Sequence, residues 1–106
     1  MFKLNPNPTF KATITIPMPD AEDGKITFEF KHKGRKALQA FVDSLNSADK
    51  TRDDEDALGE LIVGWSGVDE KYSPEALSIL LDAYPSASRA IFEGYNAALI
   101  EGRTKN

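Results

Sequence analysis

The sequence predicts an α+β fold, an N-terminal antiparallel β-hairpin packed on a small bundle of about four α-helices. Three observations lead there. Apolar residues alternate with polar ones over residues 10–16 and again over 25–31, the period-two pattern of half-buried strands. Beyond Gly34 the apolar spacing changes to three and four, the helical period. Prolines, glycines and capping residues then cut that half into separate helices. At 106 residues, one domain spanning 1–106 buries roughly 60–70% of its unfolded surface. Hydrophobic residues at 41% and charged residues at 28% are ordinary for a globular chain.

Residues 1–8 hold two prolines and two asparagines, which resist helix and interior strand alike, so a mobile arm is expected there. In the first strand Phe10, Ala12, Ile14 and Ile16 share one face; in the second Ile26, Phe28 and Phe30 do. The turn-rich PMPDAEDG between them makes the pair a hairpin. Two strands alone are marginal in water. Their apolar face must therefore lie on the chain's own helices or be joined by strands of another copy.

Leu38, Phe41, Val42 and Leu45 recur at helical spacing, predicting a first helix from soon after Gly34 to about Asn46, with a stripe able to cover the hairpin. Residues 47–53 form a polar stretch that reads as a hinge. The acidic run Asp53, Asp54, Glu55 and Asp56 suits the first turn of a second helix, where negative charge complements the helix dipole. It lacks the alternating ligands, central glycine and distal glutamate of a calcium loop. Leu58, Leu61, Ile62 and Trp65 fall at i, i+3, i+4 and i+7, so this second helix is expected to run to the glycines flanking Trp65. Ser73, Pro74 and Glu75 mark the start of a third helix as cap, first residue and dipole partner; Leu77, Leu80, Leu81 and Tyr84 carry its apolar face to Pro85. Ser86 is the expected cap of a fourth, whose face is Ala87, Ala90, Ile91, Gly94, Tyr95, Ala98 and Leu99, with Gly102 as its stop. Arg103 and Lys105 suit the negative end of that helix, and residues 103–106 are expected to fray.

Catalytic machinery is not legible. There is no cysteine and one histidine, His32, set among Lys31, Lys33, Arg35 and Lys36. GWSG resembles a fragment of a nucleophile elbow, but the residue two past Ser66 is Val68, so the motif fails. No cofactor loop or metal-ligand set is present in the sequence. The net charge of −4 argues against nonspecific nucleic-acid binding, and the basic cluster has no aromatic platform beside it. No run of about 18 apolar residues suggests a membrane span. Absence of cysteine suits a reducing interior. Trp65 has two readings: a core anchor beside Leu61 and Tyr72, or an interaction hot spot near Val68 and Tyr84.

From Asp56 onward the order of features resembles the tail assembly chaperones of long-tailed bacteriophages. LIVGWSGVD is followed by YSPEALSILLDAYP and then by SRAIFEGYNAALIEG with RTKN. The resemblance covers about the carboxyl-terminal half. It implies a non-enzymatic protein of the infected host's cytoplasm, absent from the finished virion, that binds the tape measure protein, keeps it soluble and helps recruit tail tube subunits. It also implies a longer product made by ribosomal frameshifting, beginning around the polar stretch after Gly102. On this reading Leu61, Ile62, Trp65, Val68, Leu80 and Tyr84 form a protein-binding groove, and open hairpin edges suggest a homo-oligomer. The rival readings are a structural tail or head-tail connector subunit and a nucleic-acid-binding regulator acting through the basic corner.

Overall fold

Alternating apolar residues do produce two strands, β1 (Thr9–Ile16) and β2 (Gly24–Lys31), joined as an antiparallel hairpin that pairs Phe10 with Phe30, Ala12 with Phe28 and Ile14 with Ile26. The computed structural model describes residues 1–46 and 52–102. The expected hinge falls mostly outside them, at 47–51, and the expected tail at 103–106, with Arg103 and Lys105, falls wholly outside. After the hairpin come α1 (Arg35–Leu45), α2 (Asp54–Leu61), β3 (Ile62–Ser66), α3 (Pro74–Ala83) and α4 (Ala87–Glu101). The architecture is α+β, with a three-stranded antiparallel sheet in the order β1-β2-β3 and four helices. In the segment before β1, Met1, Phe2 and Leu4 are exposed, and Lys3 Nζ donates to Asn7 Oδ1 at 2.8 Å.

The third strand corrects the expected second helix, which ends at Leu61 instead of continuing to the glycines around Trp65. Its pairing explains why the spacing misled. Phe28 lies opposite Trp65, Glu29 opposite Gly64 and Phe30 opposite Ile62, so Val63 is an extra residue, a bulge. An unbroken strand would put Ile62 and Trp65 on opposite faces, because side chains alternate. The bulge returns both to the apolar face, and a separation of three then looks helical.

One face of the sheet carries Ala12, Ile14, Ile16, Ile26, Phe28, Phe30 and Ile62, all buried. The other is polar, with the Thr13 and Thr27 hydroxyls 2.8 Å apart and Thr9 Oγ1 donating to Glu29 Oε2 at 2.9 Å. The apolar face is covered by α4 through Ala87, Ile91, Gly94 and Tyr95 and by α2 through Ala57, Leu58 and Leu61, with Ala76 and Leu77 of α3 buried alongside. Cover by α4, not by the stripe of α1, corrects the expectation for the first helix. Small residues on α4 make this approach feasible: a Cβ at Gly94 would overlap Cδ1 of Ile14 and lie 3.2 and 3.4 Å from its Cγ1 and Cγ2. On α1 only Phe41 is buried, and Val42 is exposed. Lys33 and Arg52 place their charges 5.5 and 5.6 Å from the Phe41 ring, and Glu60 accepts from both at 2.8 and 2.9 Å. The hydrogen bond from Lys33, reinforced by Arg52 and opposed by partial burial, holds the Glu60 carboxyl below its ordinary range.

The helix signals are observed at both ends of the charged run and at α3. Asp53 accepts from the Asp56 backbone N–H at 2.8 Å, so the acidic residues do occupy the first turn of α2. Ser73 accepts from Ala76 N–H at 3.0 Å, with Pro74 in the first turn. Gly102 adopts φ 69° and ends α4. Ser86 stands at the N-cap of α4 as expected, with its carbonyl accepting from Ala90 N–H at 3.1 Å, but its side chain makes no capping bond. Its backbone is already helical, at φ −81° and ψ −9°, and its hydroxyl donates to the Pro17 carbonyl at 3.0 Å, tying α4 to the end of β1.

Tyr95 closes the core at the far end of the hairpin. Its ring meets Phe30 edge-on at 5.0 Å and its hydroxyl donates to the Lys31 carbonyl at 2.9 Å. Burial, with Glu60 nearby, pushes the Tyr95 phenol up to about 12. A folded-state value above the unfolded one, about 10, means that stability is complete below pH 10 and is lost as pH rises through 12. Tyr95→Phe should therefore flatten the alkaline fall in the urea midpoint between pH 10 and 12, at a cost of about 1 kcal/mol near neutrality. Gly94→Ala should lower stability by about 1 kcal/mol, since overpacking outweighs the gain in helix propensity. Ile14→Val removes the overlapping Cδ1, so in that background Gly94→Ala should become neutral or stabilising, a coupling that a double-mutant cycle of denaturation midpoints measures directly.

Candidate protein-binding groove

The register that turns Trp65 to the Phe28 side also carries it past the edge of the helical cover. Its ring meets Phe28 at 6.2 Å and Tyr72 at 5.1 Å, both edge-on, and its Nε1 donates to the Glu70 carbonyl at 2.8 Å. This bond holds the connection from β3 to α3 in place. Gly67 permits the departure from β3: its φ is +88°, and an added Cβ would lie 3.3 Å from the Lys25 carbonyl oxygen. The connection then runs beside α3, and between them lies a groove of about 220 Å³ lined by Trp65, Val68, Asp69, Glu70, Ala76, Ile79, Leu80, Ala83 and Tyr84.

Four of the six residues expected at a binding surface, Trp65, Val68, Leu80 and Tyr84, are thus brought together, each half-buried. Leu61 and Ile62 sit in the core instead, 0% and 4% exposed. Trp65 is half-buried, so neither a sealed core position nor a bare surface describes it. It packs on Phe28 and Tyr72 while lining the groove. Sequence reasoning missed Ala76, Ile79 and Ala83. Their signal was present: Ala76, Ile79, Leu80 and Ala83 recur at i, i+3, i+4 and i+7, a second apolar face on a helix whose other side is buried. Ile79 is 62% exposed, which puts a large aliphatic side chain in water at the centre of this face.

A family model described as phage tail assembly chaperone matches residues 1–106. The chain belongs to the phage tail assembly chaperone family. The match takes in the hairpin and α1 as well as the carboxyl-terminal half that carried the resemblance. Comparison with curated proteins and with solved structures gave no match.

In this phage tail assembly chaperone the groove is lined mainly by apolar side chains, with the acidic residues Asp69 and Glu70 on the side of the β3–α3 connection. A larger hollow of about 530 Å³ beside α2 is lined by charged residues, and there Arg52 is already paired with Asp56 at 2.6 Å and with Glu60. The basic corner is also partly engaged, since Lys33 is bound to Glu60 and His32 lies edge-on to Phe10 at 6.5 Å. Among the described residues no group of three or more His, Cys, Asp or Glu side chains is arranged to hold a metal ion. Nor does any helix among them have the length and apolar character to cross a membrane.

Trp65→Phe keeps an aromatic ring against Phe28 and Tyr72 but removes the donor to the Glu70 carbonyl. Global stability should fall by about 1 kcal/mol, and amide exchange at residues 68–71 should accelerate more than exchange in β1 or α4. Uniform acceleration across the chain would show that the bond does not hold the connection.

Proposed function

We propose that this chaperone keeps a tape measure protein in solution during tail assembly by holding apolar helical segments of it in the groove between the β3–α3 connection and α3. It then presents the held client to tail tube subunits. The observation that carries this reading is the apolar face of exposed Ile79 with half-buried Leu80 and Tyr84, next to a tryptophan whose position is already set by two ring contacts and a hydrogen bond. A preordered groove avoids the entropy cost of ordering itself on binding, and large aromatic anchors at its floor are the side chains that carry most interface energy. Membership of the family supplies the context of tail assembly. A long client needs many chaperone copies, so avidity along it compensates for a small individual site.

The role calls for action in the host cytoplasm and no catalysis, with the chaperone leaving before the virion is complete. A peptide search of purified virions by mass spectrometry should then miss this chain, whereas a structural tail or connector subunit would be found in every particle.

Co-expression with the tape measure protein tests the groove itself. Ile79→Asp alters an exposed side chain and should leave the chaperone folded, yet reduce soluble client several-fold. Trp65→Ala combined with Tyr84→Ala should do the same with some loss of stability. Unchanged client yield with Ile79→Asp, in a variant with a native denaturation midpoint, would refute the groove as the holding surface.

A further inference from the structure

We infer that the groove selects helical client segments whose apolar stripe is bordered by lysine or arginine. The inference rests on the groove being the client site and adds the charge pattern of what enters it. On α3, successive residues are rotated by about 100°, so Ala76, Ile79, Leu80 and Ala83 share one face and Glu75 and Asp82 fall beside its outer border. Asp69 and Glu70 stand on the opposite lip, in the β3–α3 connection. All four carboxylates are exposed, and none is in an ion pair among the described residues. Residues 68–84 contain a single cation, Lys71. An apolar stripe laid between two acidic lips brings its own flanking residues against both. Cationic flanks gain charge-assisted contacts there, and acidic flanks are repelled.

The lining suits a helix in particular. Exposed Ala83, one turn beyond Ile79 and Leu80, leaves room at that end of the α3 face for a second helix to approach at about 8–10 Å, while Ala76 at the other end is buried. A second copy of this chain docking the same α3 face would bring Glu75 and Asp82 against their own counterparts, so like charge opposes that occupant.

The test uses the full chain and two synthetic helical peptides of about three heptads, each with leucine at the stripe positions, one with lysine and one with glutamate at every flanking position. At low salt the lysine peptide should bind about tenfold or more tightly than the glutamate peptide by fluorescence anisotropy. The preference should shrink to within about threefold in 0.5 M salt and likewise in a D69N, E70Q, D82N variant with an unchanged denaturation midpoint. Equal binding of both peptides would overturn the charge selection. So would a groove closed by a second copy, seen as a dimer in sedimentation that Ile79→Asp dissociates. The co-expression assay separates the two levels: if Ile79→Asp abolishes client solubility while the peptides bind equally, the groove stands and the charge rule falls.

Discussion

The structure depends on one irregularity, the extra residue Val63 in β3. By returning Trp65 to the face already occupied by Ile62, it keeps the sheet's third strand apolar on the covered side and lets Trp65 pack against Phe28. Trp65 then binds the Glu70 carbonyl and orders the connection that forms one wall of the groove. Were Val63 instead paired within the ladder, Trp65 would fall opposite Thr27 on the polar face, away from Phe28. Bulges commonly re-aim a side chain in this way.

Much of the architecture was readable because local signals agreed with tertiary needs. Alternation marked β1 and β2, Ser73-Pro74-Glu75 marked α3, and Gly102 marked the end of α4. The reading failed at residues 62–66, where a bulge converts strand period to apparent helix period; Ser86 does cap α4 in position, but its hydroxyl is bonded to the distant Pro17 carbonyl instead of the helix end. Choice of cover for the sheet was also hidden. Both α1 and α4 offer apolar stripes, but the decisive property, close approach at Gly94 over Ile14, is a matter of fit between two distant segments. In the groove, Trp65, Val68, Leu80 and Tyr84 were found by their chemistry, while Ile79 was passed over because the leucines on the buried side of α3 dominated the pattern.

Charge is divided between two tasks. On one side of α2, Glu60 is spent internally: it joins Lys33 and Arg52 over the Phe41 ring and fastens α1, a helix with one buried residue, to the rest of the fold. At the groove the carboxylates of Asp69, Glu70, Glu75 and Asp82 remain unpaired among the described residues and exposed. Exposed pairs add little to stability, so leaving these acids without partners costs the fold little and keeps the apolar lining in a hydrated, anionic surround.

Such a surface suits an assembly chaperone, which must grip an aggregation-prone polypeptide and still release it. Under the proposed function a small groove would give weak individual contacts, and repetition along a client would supply the holding power. Photo-crosslinking addresses the account most directly: a benzophenone amino acid is placed at position 79 in the groove, or at position 11 on the outer face of β1, in chaperone co-purified with its tape measure protein. Cross-links from position 79 into helical segments of the client, with few from position 11, are the predicted result; strong cross-linking from position 11 and none from position 79 would contradict it.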